Sequence, residues 1–387
     1  MENLKVIVIG AGMGGLTTGI ALRQVGYEVE IYDRVRELRP AGAAISLWSN
    51  GIKVLNRLGL GKEIAHIGGH MDRMAYYSCT GEKLTDFSLL PLIQRVGQCP
   101  YPVARSELQQ MLLHAFGQEQ VHLGAKCVGV EQDATSVTAL FEDGSKATGD
   151  LLVAADGTHS VIRPYVVGYP VERRYVGYVN WNGIVPATED LAPKTSWVLY
   201  VGEHKRASLM PIANDRFYFF LDVPLPQEKA LEAGDLRSDL KAFFAGWAEP
   251  VQTLIQRLEP EKTNRVLIHD VDPLPTLVRG RVALLGDSGH CTAPDLGQGG
   301  SQAIEDAFVL ANCLVTTNIS VEDALRRYET ARKERVAEIV LRARKRADMM
   351  HGTNPTITQE WYEELRSEDG TEIINGLCKT ILGGPLQ

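Results

Sequence analysis

Residues 281–307, RVALLGDSGHCTAPDLGQGGSQAIEDA, combine a carboxylate with a cluster of glycines after a short apolar run. The run Val282–Leu285 is typical of a buried strand, and Asp287 follows it where open α/β sheets bind their ligands. Small and polar residues then precede a helical pattern: Gly297, Gln298, Gly299, Gly300 and Ser301. Glycines at the start of a helix let a ligand approach its unpaired backbone N–H groups, which suits a ligand that acquires negative charge. An ordinary strand–turn–helix connection is the alternative interpretation.

A second glycine-rich turn lies near the start of the chain. The apolar run Leu4–Ile9 predicts the first strand of a parallel sheet, and a G-x-G-x-x-G pattern and a helical pattern follow it directly. The pattern is filled by Gly10, Gly12 and Gly15, with Gly14 inside it. The next predicted strand ends at Asp33, whose carboxylate can bind the hydroxyls of an adenosine ribose. Strand, helix and acid together predict a dinucleotide site, although they do not decide between FAD and NAD.

A third motif follows the apolar run Leu151–Ala155. Asp156 and Gly157 close this predicted strand, and Ser160 and Arg163 complete a D-G-x-x-S-x-x-R pattern. Upstream, Arg105 opens a helical segment, where a solvated helix start is the simpler interpretation.

The middle third of the chain has the period of an antiparallel sheet rather than of a βαβ unit. Alternation places Asn180 on one strand face, Arg206 on the same face as Ser208, and Tyr218 on the same face as Phe220. Such a sheet can form a roof over a bound ring. A strand arginine is also often solvated, and a strand asparagine often bonds only locally, so the residues alone leave both interpretations open.

Composition excludes several other classes of protein. The formal net charge of −8 argues against a nucleic-acid binder, so the basic group Arg342 to Arg346 is read as the solvated face of a long helix from Val321 toward Met350. Six scattered cysteines form no C-x-x-C pair, and the nine histidines form no metal-binding motif. We therefore expect reduced thiols in a cytoplasm, no metal site and no membrane span.

The three motifs, in this order, resemble those of the single-component FAD aromatic hydroxylases. Four segments are more similar to the bacterial FAD-dependent urate hydroxylases: GAAISLWSNGIKVLNRLG, RRYVGYVNWNGIV, KRASLMPI with RFYFFLDVPLP, and EIINGLCKTILGGPL. The similarity runs nearly end to end. Asp33 replaces the more usual Glu of that family, and Cys291 and Ala293 vary the turn after Asp287.

The resemblance implies an α/β (α+β) fold in three parts. A Rossmann-like FAD-binding domain with a parallel sheet is expected at 1–72, 103–170 and 272–320. An antiparallel substrate-binding sheet is expected at 73–102 and 171–271, and a helical segment at 321–387.

It also implies an activity, namely hydroxylation of urate at C5 to 5-hydroxyisourate in purine catabolism. O2 would react with the reduced flavin to give a C4a-hydroperoxide, with NADH or NADPH as the transient reductant. Arg206 is the expected catalytic residue. The expected substrate-binding residues are Asn180, Arg206, Tyr218, Phe219 and Phe220. The expected cofactor-binding residues are Gly10, Gly12, Gly14, Gly15, Asp33, Arg34, Ser46, Arg105, Cys127, Asp156, Asp287, Gly297, Gln298, Gly299, Gly300 and Ser301.

Two other functions stay open at this point. A related hydroxylase of a phenolic acid, such as salicylate or hydroxybenzoate, would also keep an arginine for the substrate carboxylate. A non-catalytic flavoprotein would use the same fold only for binding. The sequence does not decide between NADH and NADPH, and it indicates neither the oligomeric state nor a protein base.

Overall fold

The computed structural model describes residues 4–38, 42–232, 234–315 and 319–386. Its strands are β1 (Lys5–Ile9), β2 (Glu28–Asp33), β3 (Ala44–Leu47), β4 (Arg73–Ser78), β5 (Lys83–Ser88), β6 (Tyr101–Ala104), β7 (Val121–Leu123), β8 (Cys127–Gln132), β9 (Val137–Phe141), β10 (Lys146–Gly149), β11 (Leu151–Ala154), β12 (Arg174–Pro186), β13 (Ser196–Gly202), β14 (Lys205–Ile212), β15 (Arg216–Pro224), β16 (Asn264–Asp270), β17 (Val278–Arg279) and β18 (Val282–Leu284). Its α-helices are α1 (Met13–Gln24), α2 (Ser49–Arg57), α3 (Gly61–Ile67), α4 (Leu90–Val96), α5 (Arg105–Phe116), α6 (Arg163–Val167), α7 (Gln227–Leu231), α8 (Leu236–Phe243), α9 (Glu249–Arg257), α10 (Asp287–His290), α11 (Gly299–Leu314), α12 (Val321–His351), α13 (Pro355–Ser367) and α14 (Thr371–Leu382).

A six-stranded sheet in the order β17-β18-β11-β1-β2-β7 carries the glycine motifs. All its pairs are parallel except β17 with β18. Strand β1 is buried on both faces: Val6 and Val8 pack toward the helices, and Ile7 and Ile9 toward the three-stranded sheet β8–β10. Burial on both faces explains the continuous apolar run in the sequence.

A seven-stranded sheet in the order β16-β12-β15-β14-β13-β4-β5 forms the other large layer. All its pairs are antiparallel except β13 with β4. Two of its hairpins close in tight turns with positive φ, at Glu203 and His204 and again at Asn214 and Asp215. One face packs on helices α7–α9, and the other faces an interior cavity of the molecule.

The C-terminal helices cover that interior. The long helix predicted from Val321 is confirmed as α12, and α13 and α14 pack with it against β4, β5 and β13. Along the described parts of the chain, no helix combines the length and apolarity needed to cross a bilayer. The predicted fold class, a parallel Rossmann-like sheet, a largely antiparallel sheet and a helical C-terminal segment, is confirmed.

Candidate active site

The turn from β1 into α1 has the geometry of a phosphate-binding loop. Gly10 has a φ of +109°, and a Cβ atom there would lie 2.2 Å from the Ala155 carbonyl oxygen. A Cβ atom on Gly15 would lie 1.8 Å from the Gly10 carbonyl oxygen, so the close packing of helix on strand requires glycine. A Cβ atom on Gly12 would meet nothing within 4 Å, because this residue opens into a cavity. The N-terminus of α1 is therefore accessible to a ligand with negative charge.

Asp33 ties this turn to the end of β2. Its Oδ2 accepts a hydrogen bond from the Ala11 backbone N–H at 2.7 Å, and its Oδ1 accepts one from Val35 at 3.0 Å. The carboxylate also lines the cavity.

One arginine joins the D-G-x-x-S-x-x-R motif to the turn that contains Asp287. Arg163, buried at 2% exposure, donates from Nε to the Ser288 carbonyl at 2.6 Å and from Nη2 to the Asp287 carbonyl at 2.7 Å. Asp156 Oδ2 accepts from the Val161 N–H at 2.8 Å, which shapes the loop that presents Arg163. The D-G-x-x-S-x-x-R motif thus holds the turn containing Asp287, rather than contributing its arginine to the cavity.

The turn at Gly286 is anchored from the opposite side by Asp306 of α11. Gly286 donates its N–H to Asp306 Oδ2 at 2.9 Å, and the same oxygen lies 2.6 Å from His290 Nε2. Asp306 Oδ1 accepts from Arg332 Nε at 2.6 Å. Although burial opposes it, the charges of His290 and Arg332 hold the pKa of Asp306 well below its usual value. A buried carboxylate therefore holds the turn before Asp287 in place by a hydrogen bond.

These motifs surround one cavity of about 1090 Å³. The predicted cofactor residues that line it are Gly10, Gly12, Gly14, Asp33, Arg34, Ser46, Arg105, Cys127, Asp156, Asp287, Gly297, Gln298, Gly299 and Gly300. Gly15 and Ser301 lie behind this lining, Gly15 against the Gly10 carbonyl and Ser301 against Gly51.

Three buried polar atoms of residues that line the cavity have no hydrogen-bond partner within the described structure. They are Trp48 Nε1, Asp156 Oδ1 and Gln298 Nε2. Buried polar groups are normally satisfied, so this pattern fits a polar ligand, and the open space at Gly12 fits a pyrophosphate. The residues present therefore fit FAD.

The substrate residues predicted on the large sheet reach the same cavity, with one exception. Asn180, Arg206, Tyr218 and Phe220 line it. Phe219 was also expected to bind the substrate, but its side chain does not line the cavity. Alternation along β15 turns Phe219 to the opposite face, where it packs at 1% exposure in the apolar core with Trp181.

Arg206 lies on the interior strand β14 and is 7% exposed. Its Nη2 lies 2.6 Å from Asp222 Oδ2 and 3.3 Å from Asp295 Oδ1, and its Cζ lies 4.9 Å from the centre of the Phe220 ring. Burial acts to lower the pKa of Arg206, but the two carboxylates raise it above the usual value. The guanidinium is a fixed, permanently charged donor at the cavity wall.

Asn180 belongs to the same cluster. It donates from Nδ2 to Asp222 Oδ1 at 2.6 Å and accepts from Asn182 Nδ2 at 2.7 Å. Burial raises the pKa of the neighbouring Tyr218 to about 12, so its hydroxyl stays protonated at neutral pH.

Three polar residues of this cluster were not predicted from the sequence: Asp222, Asp295 and His351. Asp295 accepts a hydrogen bond from the Tyr178 hydroxyl at 2.7 Å, and burial raises the pKa of Asp295, helped by the charge of Asp222 and opposed by that of Arg206. His351 Nε2 lies 3.8 Å from Asp222 Oδ2. One sequence signal was available, because Asp222 interrupts an otherwise apolar strand, FYFFLDVP.

No group of three or more His, Cys, Asp or Glu side chains within the described ranges is arranged to hold a metal ion.

The family model described as "FAD binding domain" matches residues 3–343. The chain is 53% identical over 384 residues to the FAD-dependent urate hydroxylase of Klebsiella pneumoniae subsp. pneumoniae, which covers 99% of this chain and 100% of that protein. It is 51% identical over 386 residues to the FAD-dependent urate hydroxylase of Mycolicibacterium vanbaalenii, with 99% and 98% covered. The crystal structure of Klebsiella pneumoniae HpxO complexed with FAD and uric acid superimposes with a TM-score of 0.96 at 52% identity and covers 99% of this chain and 98% of that one.

Proposed function

The chain is a member of the FAD-binding-domain family and belongs with the FAD-dependent urate hydroxylases in it, and on that premise we propose that it hydroxylates urate at C5. The product is 5-hydroxyisourate. One atom of O2 enters the product and the other leaves as water, while NADH or NADPH supplies the two electrons. This places the enzyme in purine catabolism.

One structural observation supports the proposal independently of the family membership. A single cavity joins the three turn motifs, which fit a dinucleotide, to a polar wall formed by Asn180, Arg206 and Tyr218. A flavin ring held by the turns and a planar substrate held by the wall would therefore share one enclosed space.

We propose that the turns at Gly12, Asp33 and Asp287 hold FAD. Bound FAD supplies the electron transfer and the activation of O2, which the side chains of a protein cannot provide by themselves. The start of α11 at Gly299 lines the cavity, and the unpaired backbone N–H groups of a helix start favour negative charge on a ligand.

Three side chains are assigned to the substrate. The Arg206 guanidinium donates to an oxygen at the edge of urate, and Asn180 donates its remaining N–H to the neighbouring edge. The Tyr218 hydroxyl donates as a neutral group, because its raised pKa prevents ionisation. The aromatic rings of Tyr218 and Phe220, 5.6 Å apart, exclude water beside these donors.

A phenolic acid is the less favoured substrate, because the relatives that match over the whole chain are named urate hydroxylases. We also propose a cytoplasmic location, which the six unpaired cysteines support.

The test is oxygen uptake by the FAD-loaded protein with NADH or NADPH. We expect rapid uptake with urate and formation of a product with altered ultraviolet absorbance. Salicylate and 4-hydroxybenzoate serve as matched alternatives. Faster coupled turnover of either phenolic acid would reject urate as the substrate. If urate, salicylate and 4-hydroxybenzoate all leave the rate of reductant oxidation unchanged, hydroxylation is rejected.

A further inference from the structure

The charges around Arg206 leave an anionic substrate without a net positive partner. Asp222 lies 2.6 Å from the guanidinium and Asp295 lies 3.3 Å from it. Whether Asp295 is ionised or protonated, the three side chains together carry no net positive charge. A urate anion bound beside Arg206 therefore gains hydrogen bonds there, but no uncompensated cation.

Arg346 is a second guanidinium in the same cavity, so the interpretation of Arg342 to Arg346 as a solvated helix face does not hold for this residue. It lies on α12, with its Cζ 4.5 Å from the centre of the Trp361 ring of α13 and its side chain beside the Tyr76 hydroxyl of β4. Both aromatic residues are 4% exposed. Stacking on an indole leaves the in-plane N–H donors of a guanidinium free to bind an anion at their edge.

The other arginines in this part of α12 are all paired. Arg332, Arg335, Arg342 and Arg344 each have a carboxylate oxygen within 3.4 Å. Arg346 makes no ion pair with any carboxylate in the portion of the chain that is described. Burial lowers the pKa of Arg346 and the positive charge of Arg206 adds to that effect, while the Tyr76 hydroxyl and the charge of Asp295 oppose it. An unpaired cation held in such surroundings is stabilised by an anionic ligand.

The other cations that line the cavity either lie at its nucleotide end or are already paired, as Arg206 is with Asp222 and Lys126 with Glu142. Arg34 directly follows Asp33 at the end of β2, and the side chain of Arg105 contacts the Ala44 carbonyl on β3. Both were predicted to bind the cofactor. Arg342, at the helical end, is already paired with Glu338.

We infer that Arg346, stacked on Trp361 and flanked by Tyr76, forms a second anion-binding subsite that receives the urate anion on the helical side of the cavity. This inference rests on the proposed function and adds a residue to it. The rim of the cavity on α13 and α14 carries Glu364 and Glu372, both exposed. Because these carboxylates do not attract an anion from solution, Arg346 acts on how tightly urate is held once it is inside.

The test compares Arg346→Gln with the wild-type enzyme in FAD-loaded form. We expect the Kd of urate, measured from the change in flavin absorbance of the oxidised enzyme, to rise about tenfold or more, which corresponds to the loss of one charged hydrogen bond. The KM for urate should rise equally. The kcat, the FAD content and the peroxide released per reductant oxidised should stay within twofold, since Arg346 is placed away from the flavin turns.

Two further variants separate charge from packing. Arg346→Lys keeps the charge and should bind urate within about threefold of wild type. If the glutamine variant fails to retain FAD, Arg346→Met, which keeps the stem against Trp361, takes its place with the same criterion for Kd. The matched control is Arg327→Gln, an exposed residue of the same helix that lies outside the cavity lining.

An Arg346→Gln Kd within twofold of wild type, in an enzyme whose wild type hydroxylates urate, overturns this inference and leaves the proposed function intact. A lysine variant as weak as the glutamine variant also overturns it. A wild-type enzyme that binds no urate overturns the proposed function, and the inference with it.

Discussion

Arg206 Nη2 lies 2.6 Å from Asp222 Oδ2, and both buried side chains belong to interior strands of the large sheet. The pair does more than neutralise charge, because Asp222 Oδ1 also accepts from Asn180 Nδ2 at 2.6 Å. One carboxylate therefore orients two of the three side chains assigned to the substrate.

This relationship predicts the outcome of a double-mutant cycle. Arg206→Gln and Asp222→Asn should each lower the free energy of unfolding by about 3–5 kcal/mol, because each leaves a buried partner uncompensated. The double variant should lose less than the sum of the two single losses. Urea unfolding of the holoenzymes measures all four values.

The same variants should differ from Arg346→Gln in their catalysis. Arg206→Gln should lower kcat/KM about tenfold or more and raise peroxide release, because a substrate without its orienting donor misses the reacting oxygen. Additive unfolding losses would contradict the proposed coupling of Arg206 with Asp222.

The glycine turn predicts a separation of stability from cofactor binding. Gly12 has a φ of −74° and open space at its Cβ position, so Gly12→Ala should fold normally and bind FAD at least about tenfold more weakly. Gly15→Ala is the contrast, because its Cβ atom would lie 1.8 Å from a backbone oxygen and should destabilise the apoprotein. Thermal unfolding and FAD titration of both variants give the comparison. A destabilised Gly12→Ala apoprotein with unchanged FAD affinity would contradict this assignment.

Asp287 is predicted to bind the cofactor through its side chain, since its backbone is already held by Arg163. Asp287→Ala should lower FAD affinity about ten- to hundredfold, from the loss of one charged hydrogen bond of roughly 1.5–3 kcal/mol. Asp272→Ala removes an exposed carboxylate outside the cavity lining and serves as the control. Equal FAD retention by the two variants would make Asp287 a turn residue only.

Much of the nucleotide end could be predicted because its signals are local. The run Leu4–Ile9, the following glycines and Asp33 lie within about 30 residues, and each has a conformational reason that is visible in the sequence. We propose, with the two large sheets in support, that the domain division predicted from the sequence holds, with one sheet at the core of each domain.

The substrate end could be predicted only in part, because its polar cluster is assembled from distant segments. Asp222 comes from β15, Asp295 from the turn before α11 and His351 from the last residue of α12. No local pattern brings these three together. Phe219 was expected at the substrate only from the resemblance, whereas alternation along the strand turns its side chain into the apolar core.

His351 makes the free energy of unfolding depend on pH. Its Nδ1 lies 2.7 Å from the His204 carbonyl oxygen, whereas its Nε2 is buried without a hydrogen-bond partner among the described residues. Burial lowers the pKa of His351 in the native state, although Asp222 opposes the shift. The unfolded chain, in which a histidine titrates near pH 6.5, therefore binds the proton more readily than the native state does.

Stability contributed by neutral His351 is present above about pH 6.5 and is lost as the pH falls below it, by at most about 1.4 kcal/mol per pH unit. Asp295 opposes this loss, because its raised native pKa favours proton uptake by the folded state. His351→Asn keeps a donor for the His204 carbonyl and removes the titration. We expect its unfolding free energy to fall less than that of wild type between pH 7 and pH 5, in urea titrations at matched ionic strength. Parallel pH profiles for the two proteins would mean that His351 keeps an ordinary pKa, and that the buried cluster tolerates its charge.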